Sequence, residues 1–222
     1  MAERARRLRR ALEVARVARR SKLLRVLREV GVGDRPATRE AAQEFRRGLE
    51  ELGTTYAKLG QLLSSRPDLL PEAYIDELSK LVDDAPPVPF EQIRQTIDEE
   101  LGPDVFADIN AEPLASASIA QVHAALMSDG REVVVKVRRP GVLEQVMVDL
   151  DVLRTTVRFL HKHSETAQLL QLEALAEELE VHLCAELDLG EEAHNTELVG
   201  RAIPDFPELL VDGWAAPGRD RP

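Results

Sequence analysis

One cysteine, one tryptophan, two tyrosines and five phenylalanines in 222 residues set the first limits on this chain. With Cys184 alone no intrachain disulfide can form, and its expected place is that of a small buried hydrophobe. A continuous apolar leader with a cleavage site is also lacking, which points to a cytoplasmic rather than a secreted protein. Aromatic residues make up only 4% of the chain, so a base-stacking surface for single strands is not expected. The net charge of −11 excludes a general nucleic-acid binder. No run of about 20 apolar residues occurs, so nothing is expected to span a bilayer. The histidines at 123, 161, 163, 182 and 194 have no zinc-site spacing, and no nucleophile elbow or cysteine–histidine motif nominates a covalent catalyst. Internal repeats are absent as well.

What is present is mostly helical patterning over a hydrophobic fraction of 44%, enough for a core. Helices are expected from about Ala37 to Leu52, from Thr54 to Ser65, after Pro71, and from Pro89 to Leu101. Asp83 to Pro87 reads as a linker. Strands follow at roughly Ala107 to Leu114, Ile119 to Met127 and Glu132 to Arg138, then a long helix from Gly141 to His163 and acidic helices beyond it. One small antiparallel sheet among many helices is an α+β arrangement.

Chemistry is concentrated in PLASASIAQVHAALMSDGREVVVKVRRPG, Pro113 to Gly141. Alternation along the last strand sends Val133, Val135 and Val137 one way and Val134, Lys136 and Arg138 the other, with Asp129 and Gly130 making the turn before it. A lysine among valines sits on a half-buried surface, where its ammonium needs a carboxylate or a ligand phosphate. An edge strand with one solvated charge would have the same pattern. Upstream, Ala115, Ser116, Ala117 and Ser118 form a loop with little side-chain bulk, whose backbone N–H groups suit a polyphosphate. Such a loop followed by a strand lysine is the logic of a kinase small lobe, although alanine and serine replace the usual glycines and restrict positive φ. In KLGQ, Lys58 to Gln61, the lysine and glutamine share a helix face, and Gly60 inside a helix implies close approach by another element. Residues 1–31 carry a net +8, leaving −19 for the remainder. Leu8, Leu12, Ala15, Leu23, Val26 and Val30 line one side of that basic segment, a pattern that suits either an anionic lipid surface or docking on the acidic body.

Four segments in register resemble the UbiB/AarF atypical kinase-like proteins associated with quinone biosynthesis. KLGQ is similar to their KxGQ signature, PLASASIAQVHAA to their Ala-rich nucleotide loop, and VVVKVRRPGV to the strand bearing the ATP-binding lysine. ELDLGEEAHN, Glu186 to Asn195, is similar to their ExD element. The similarity covers about residues 40 to 210. It implies an ATP and Mg²⁺ site that includes Ala115, Ser116, Ala117, Ser118, Lys136 and Glu186, with Glu186 assigned to a lysine and Asp188 as a metal ligand. Glu186 and Asp188 are two apart and cannot share a face on one helix, so a break near Gly190 is expected. Glu180 and Glu192 are rival partners for the lysines, in an acidic stretch that otherwise reads as a solvated face. Lys58, Gly60 and Gln61 would be regulatory, on a helix that in the family occludes the protein-substrate position.

Charge, composition and the resemblance together divide the chain into a basic amphipathic helix (1–34), a helical extension with the KxGQ motif (35–104), a kinase-like small lobe (105–210) and a disordered tail (211–222). The resemblance tilts the basic helix toward a membrane surface, peripheral at the inner face. No HxD-type catalytic loop follows residue 200, and Asp205-Phe206-Pro207 is not a metal-binding DFG because proline replaces the glycine. The expectation is therefore a small lobe with its large lobe missing, to be supplied by a partner if there is turnover; a non-catalytic scaffold is the alternative.

Overall fold

The computed structural model describes residues 2–21, 23, 26, 37–82 and 85–202. The expected tail, Val30 and the Asp205-Phe206-Pro207 segment lie outside the described residues. In chain order the elements are α1 (Ala2–Arg20), α2 (Arg39–Leu52), α3 (Thr54–Ser64), α4 (Glu72–Leu78), α5 (Phe90–Leu101), β1 (Phe106–Ile109), β2 (Ala115–Ser116), β3 (Ala120–Met127), β4 (Glu132–Arg138), α6 (Val142–His163), α7 (Glu165–Leu169), α8 (Leu172–Leu187) and α9 (Leu189–Ala202). They form two compact units, a helical one from Met1–Ala85 and Gly141–Leu183 and a sheet-bearing one from Pro86–Pro140 and Cys184–Pro222. The division assigns α5 to the sheet and α6 to the helical unit, unlike the four-segment reading of the sequence.

In the helical unit, Thr38 caps α2 by accepting the Ala41 N–H at 3.2 Å. Ala41, Ala42, Phe45, Leu49 and Leu52 then bury one stripe of it. Phe45 meets Tyr74 of α4 edge to face at 5.5 Å. The expected close approach at Gly60 is present. A Cβ there would lie 2.3 Å from Leu81 Cδ1 and 2.9 Å from Leu49 Cδ1, both on buried side chains. Gly60→Val is accordingly expected to destabilise this unit by about 1–3 kcal/mol through overpacking, read as a lower urea midpoint with an unchanged slope.

The basic helix docks by one face. Val17 is buried, Arg7 pairs with Asp151 at 2.8 Å, and Arg10 pairs with the buried Asp149 of α6 at 2.5 Å. Docking on an acidic surface, one of the two readings of this segment, is thus observed for the inner face. Leu8 and Leu12 point outward and stay 64% and 59% exposed. Among the described residues the expected stripe does not continue as one face, because α1 ends at Arg20 and Val26 is buried while Leu8 and Leu12 are exposed.

In the sheet-bearing unit, β3 is central: β4 takes one edge and β1 and β2 share the other, all antiparallel. The strand expected over Ala107 to Leu114 is broken in two. Asn110 Oδ1 accepts the Glu112 N–H at 3.0 Å, an Asx turn, and Pro113 has no N–H to extend a ladder. Between β3 and β4 a three-residue loop closes with Met127 N–H to Arg131 O at 2.8 Å, and Gly130 takes φ +88° there. Val133 and Val135 pack on a core of Ile93, Ile97, Ile109, Ala125 and Val137, as the alternation predicts. Gln121 and His123 share that face, being paired across the ladder with Val137 and Val135, and are fully buried. Their polar atoms are satisfied: Gln121 Oε1 accepts the Val88 N–H, Gln121 Nε2 lies 3.2 Å from His123 Nε2, and His123 Nδ1 lies 2.8 Å from Asn110 O.

Candidate functional site

On the opposite face of the sheet, Val122 stands across from both Lys136 of β4 and Ala115 of β2. Directly opposed residues project on the same side, so Ala115 and Lys136 flank Val122 on one surface. Ser116, opposite Gln121, belongs to the other side. Half of the predicted loop is therefore strand. Only Ala117, Ser118 and Ile119 turn the chain, with Ala117 N–H donating to Ala120 O at 2.9 Å. None of the residues from Ala115 to Ser118 has a positive φ, so the turn does without the left-handed backbone that a Gly-rich loop can adopt.

The Lys136 ammonium donates to both carboxylate oxygens of Glu192, each at 2.7 Å, with the two side chains 30% and 42% exposed. Of the candidate carboxylates, Glu192 rather than Glu186 or Glu180 is the one that meets Lys136. The reason is helical phase. Leu183 and Leu187 are the buried positions at the end of α8, which turns Glu186 and Cys184 to the exposed side. Cys184 is accordingly an exposed thiol rather than a buried hydrophobe. The helix breaks as expected, but at Asp188. Its Oδ1 accepts the N–H groups of Gly190 at 3.0 Å and Glu191 at 3.1 Å, capping α9. The phase restarts there, bringing buried Ala193 and half-buried Glu192 inward. Glu192 in the first helical turn also sits where the helix dipole favours a carboxylate. The sequence held this signal: Asp188 and Glu191 have capping-box spacing, which marks the new helix start.

Asp188, the expected Mg²⁺ ligand, serves as that cap. Among the described residues no group of three or more histidine, cysteine, aspartate or glutamate side chains is placed to hold a metal ion. One carboxylate does not make a resident Mg²⁺ site, since this ion is usually held by one or two carboxylates together with nucleotide phosphates and water. Lys58, Gly60 and Gln61 belong to the helical unit, where Lys58 is half-buried and Gln61 Nε2 donates to Leu81 O at 3.2 Å. Two residues that sequence reasoning did not single out support the sheet surface. Arg138 donates to Leu187 O at 3.3 Å, tying β4 to the end of α8, and Arg139 reaches the β2–β3 turn.

A sequence profile of the ABC1 atypical kinase-like domain matches residues 80–212. "Probable protein kinase UbiB" of Cellvibrio japonicus is 38% identical over 76% of this chain and 31% of its own length. The protein of the same name from Azotobacter vinelandii is 43% identical over 77% of this chain and 32% of its own. Among solved structures, the complex of Rv3197 with erythromycin from Mycobacterium tuberculosis aligns over 80% of this chain and 46% of that one, at 32% identity and a TM-score of 0.48. The chain spans about a third of the length of the curated relatives it matches. With the profile covering more than half of its residues and the strand lysine, its carboxylate partner and the small-residue turn assembled on one small sheet, the chain belongs to the ABC1 atypical kinase-like family, in which UbiB proteins are its relatives.

Proposed function

We propose that this chain carries the nucleotide-binding small lobe of an ATP-using atypical kinase that supports quinone or lipid metabolism. The observation that carries the reading is the Lys136–Glu192 pair beside Ala115. An ammonium has three N–H donors, and Glu192 accepts two of them, so one is left for a phosphate oxygen. The backbone N–H groups of the β2–β3 turn add donors without bulk. Mg²⁺ would arrive with the nucleotide, screening its phosphates. The names of the relatives, "Probable protein kinase UbiB", support the same class. Phosphotransfer or ATP hydrolysis further requires a catalytic-loop aspartate and a metal-binding aspartate of the large-lobe type, so turnover depends on a lobe beyond these elements. Titration calorimetry of Mg-ATP into the wild-type chain is expected to give saturable one-site binding. A folded chain that takes up no nucleotide would favour the scaffold reading instead.

The outer face of α1 supports peripheral membrane association at the cytoplasmic side. Leu8 and Leu12 are exposed there, and by helical geometry Arg4, Arg9, Arg16 and Arg19 surround them, all exposed, with no acidic residue between. Among the described residues no helix is long and apolar enough to cross a membrane, so the contact would be interfacial. Vesicles containing phosphatidylglycerol are expected to sediment the wild type but not Leu8→Glu/Leu12→Glu, and pure phosphatidylcholine vesicles neither. Equal sedimentation of variant and wild type would remove this role from α1.

A further inference from the structure

The β2–β3 turn has neither glycine nor a left-handed residue, yet Ser116, Ala117 and Ser118 are all partly buried rather than projecting freely. What holds it is Arg139, just past the end of β4. Its Nε donates to Ala117 O at 2.7 Å, and its Nη2 donates to Ser116 Oγ and to Pro86 O, both at 2.8 Å. Its backbone N–H donates to Ile119 O at 2.8 Å. One residue thus contacts the turn at 116, 117 and 119, and ties it to the segment entering α5. That segment is pinned a second time where Gln121 accepts the Val88 N–H. A planar guanidinium can present Nε and Nη2 to separate acceptors in a fixed fork, which a lysine ammonium cannot copy.

We infer that Arg139 is a positioning residue that fixes the nucleotide turn in its binding shape before ligand arrives. The inference rests on the nucleotide reading above and assigns the preorganisation of that site to a side chain outside the loop. A turn already ordered gives up less conformational freedom on binding, so releasing it weakens affinity without removing any group that touches phosphate. Lys136 lies three residues before it, within β4, so the ammonium and the turn it works with share one support.

The test compares wild type, Arg139→Lys, Arg139→Gln and Ser116→Ala, the last removing a single acceptor and leaving the arginine. Amide hydrogen exchange without ligand is expected to be at least about tenfold faster over residues 117–120 in both Arg139 variants and less so in Ser116→Ala, with amides of β3, β4 and α5 as the control for an intact sheet. The dissociation constant for Mg-ATP is expected to rise about tenfold in Arg139→Gln, with Arg139→Lys recovering little of it. Unchanged exchange at the turn overturns the inference, and so does faster exchange with unchanged affinity. If the wild type binds no Mg-ATP, the nucleotide reading fails, and the positioning inference fails with it in its functional half; the exchange comparison then still decides whether Arg139 fixes the turn.

Discussion

Lys136→Met is expected to weaken Mg-ATP binding by at least about tenfold, the scale of a lost charge-assisted hydrogen bond to phosphate. It is expected to cost the fold little. The pair with Glu192 is part-exposed, with the lysine 30% and the glutamate 42% accessible, and such pairs contribute about 0–1 kcal/mol. Methionine keeps the apolar stem that lies along β4, so the sheet retains its packing. Glu192→Gln leaves a neutral acceptor for the ammonium and is expected to reduce affinity less than Lys136→Met. Glu186→Gln, on the exposed side of α8, is expected to leave the Lys136 geometry untouched. The order of the three variants, read by calorimetry on folded protein, separates the pairing seen here from the one that the motif alone suggests.

Arg10→Ala is expected to produce the largest loss of stability. Arg10 is the only cation bonded to Asp149 among the described residues, through Nε at 2.5 Å and Nη2 at 3.2 Å, and Asp149 is 1% exposed. The same guanidinium donates to Leu52 O and lies 5.7 Å from the centre of the Tyr56 ring. Burial, with the Asp149 charge adding to it, pushes the Tyr56 phenol well above its ordinary range, so this site stays uncharged except for the ion pair. Truncating the arginine strands a buried carboxylate whose one remaining side-chain donor among the described residues is Gln145, at 3.2 Å. Breaking a buried pair in this way costs about 3–5 kcal/mol.

Arg10→Met/Asp149→Leu, which removes both charges and fills the space, is expected to recover most of the loss. Denaturant unfolding at neutral pH measures both variants.

How far the sequence could be read follows from what sets each feature. Helix ends such as Leu52 and Leu101, and strand β4 in full, were legible because caps, prolines and alternation are local signals. The β1–β2 interruption was not, since it depends on an Asx turn at Asn110 that any loop asparagine could make. The face bearing Lys136 followed from strand alternation. Its partner did not, because one capping aspartate resets the helical phase between Glu186 and Glu192. Arg10 and Asp149 meet across 139 residues of sequence, a distance over which no periodicity speaks. Arg139 stood in plain view in the quoted motif, but its use is set by where the β2–β3 turn returns, which only the fold reveals.

Thermal denaturation of the purified chain with and without Mg-ATP, beside Lys136→Met, tests the nucleotide site itself. A ligand that binds only the folded state raises its stability by about 2.7 kcal/mol at a hundredfold excess over the dissociation constant. The wild type is expected to shift upward and Lys136→Met to lose that shift, while the two proteins melt at similar temperatures without ligand. No shift in a cooperatively melting wild type, or an equal shift in the variant, would contradict a nucleotide site built on Lys136.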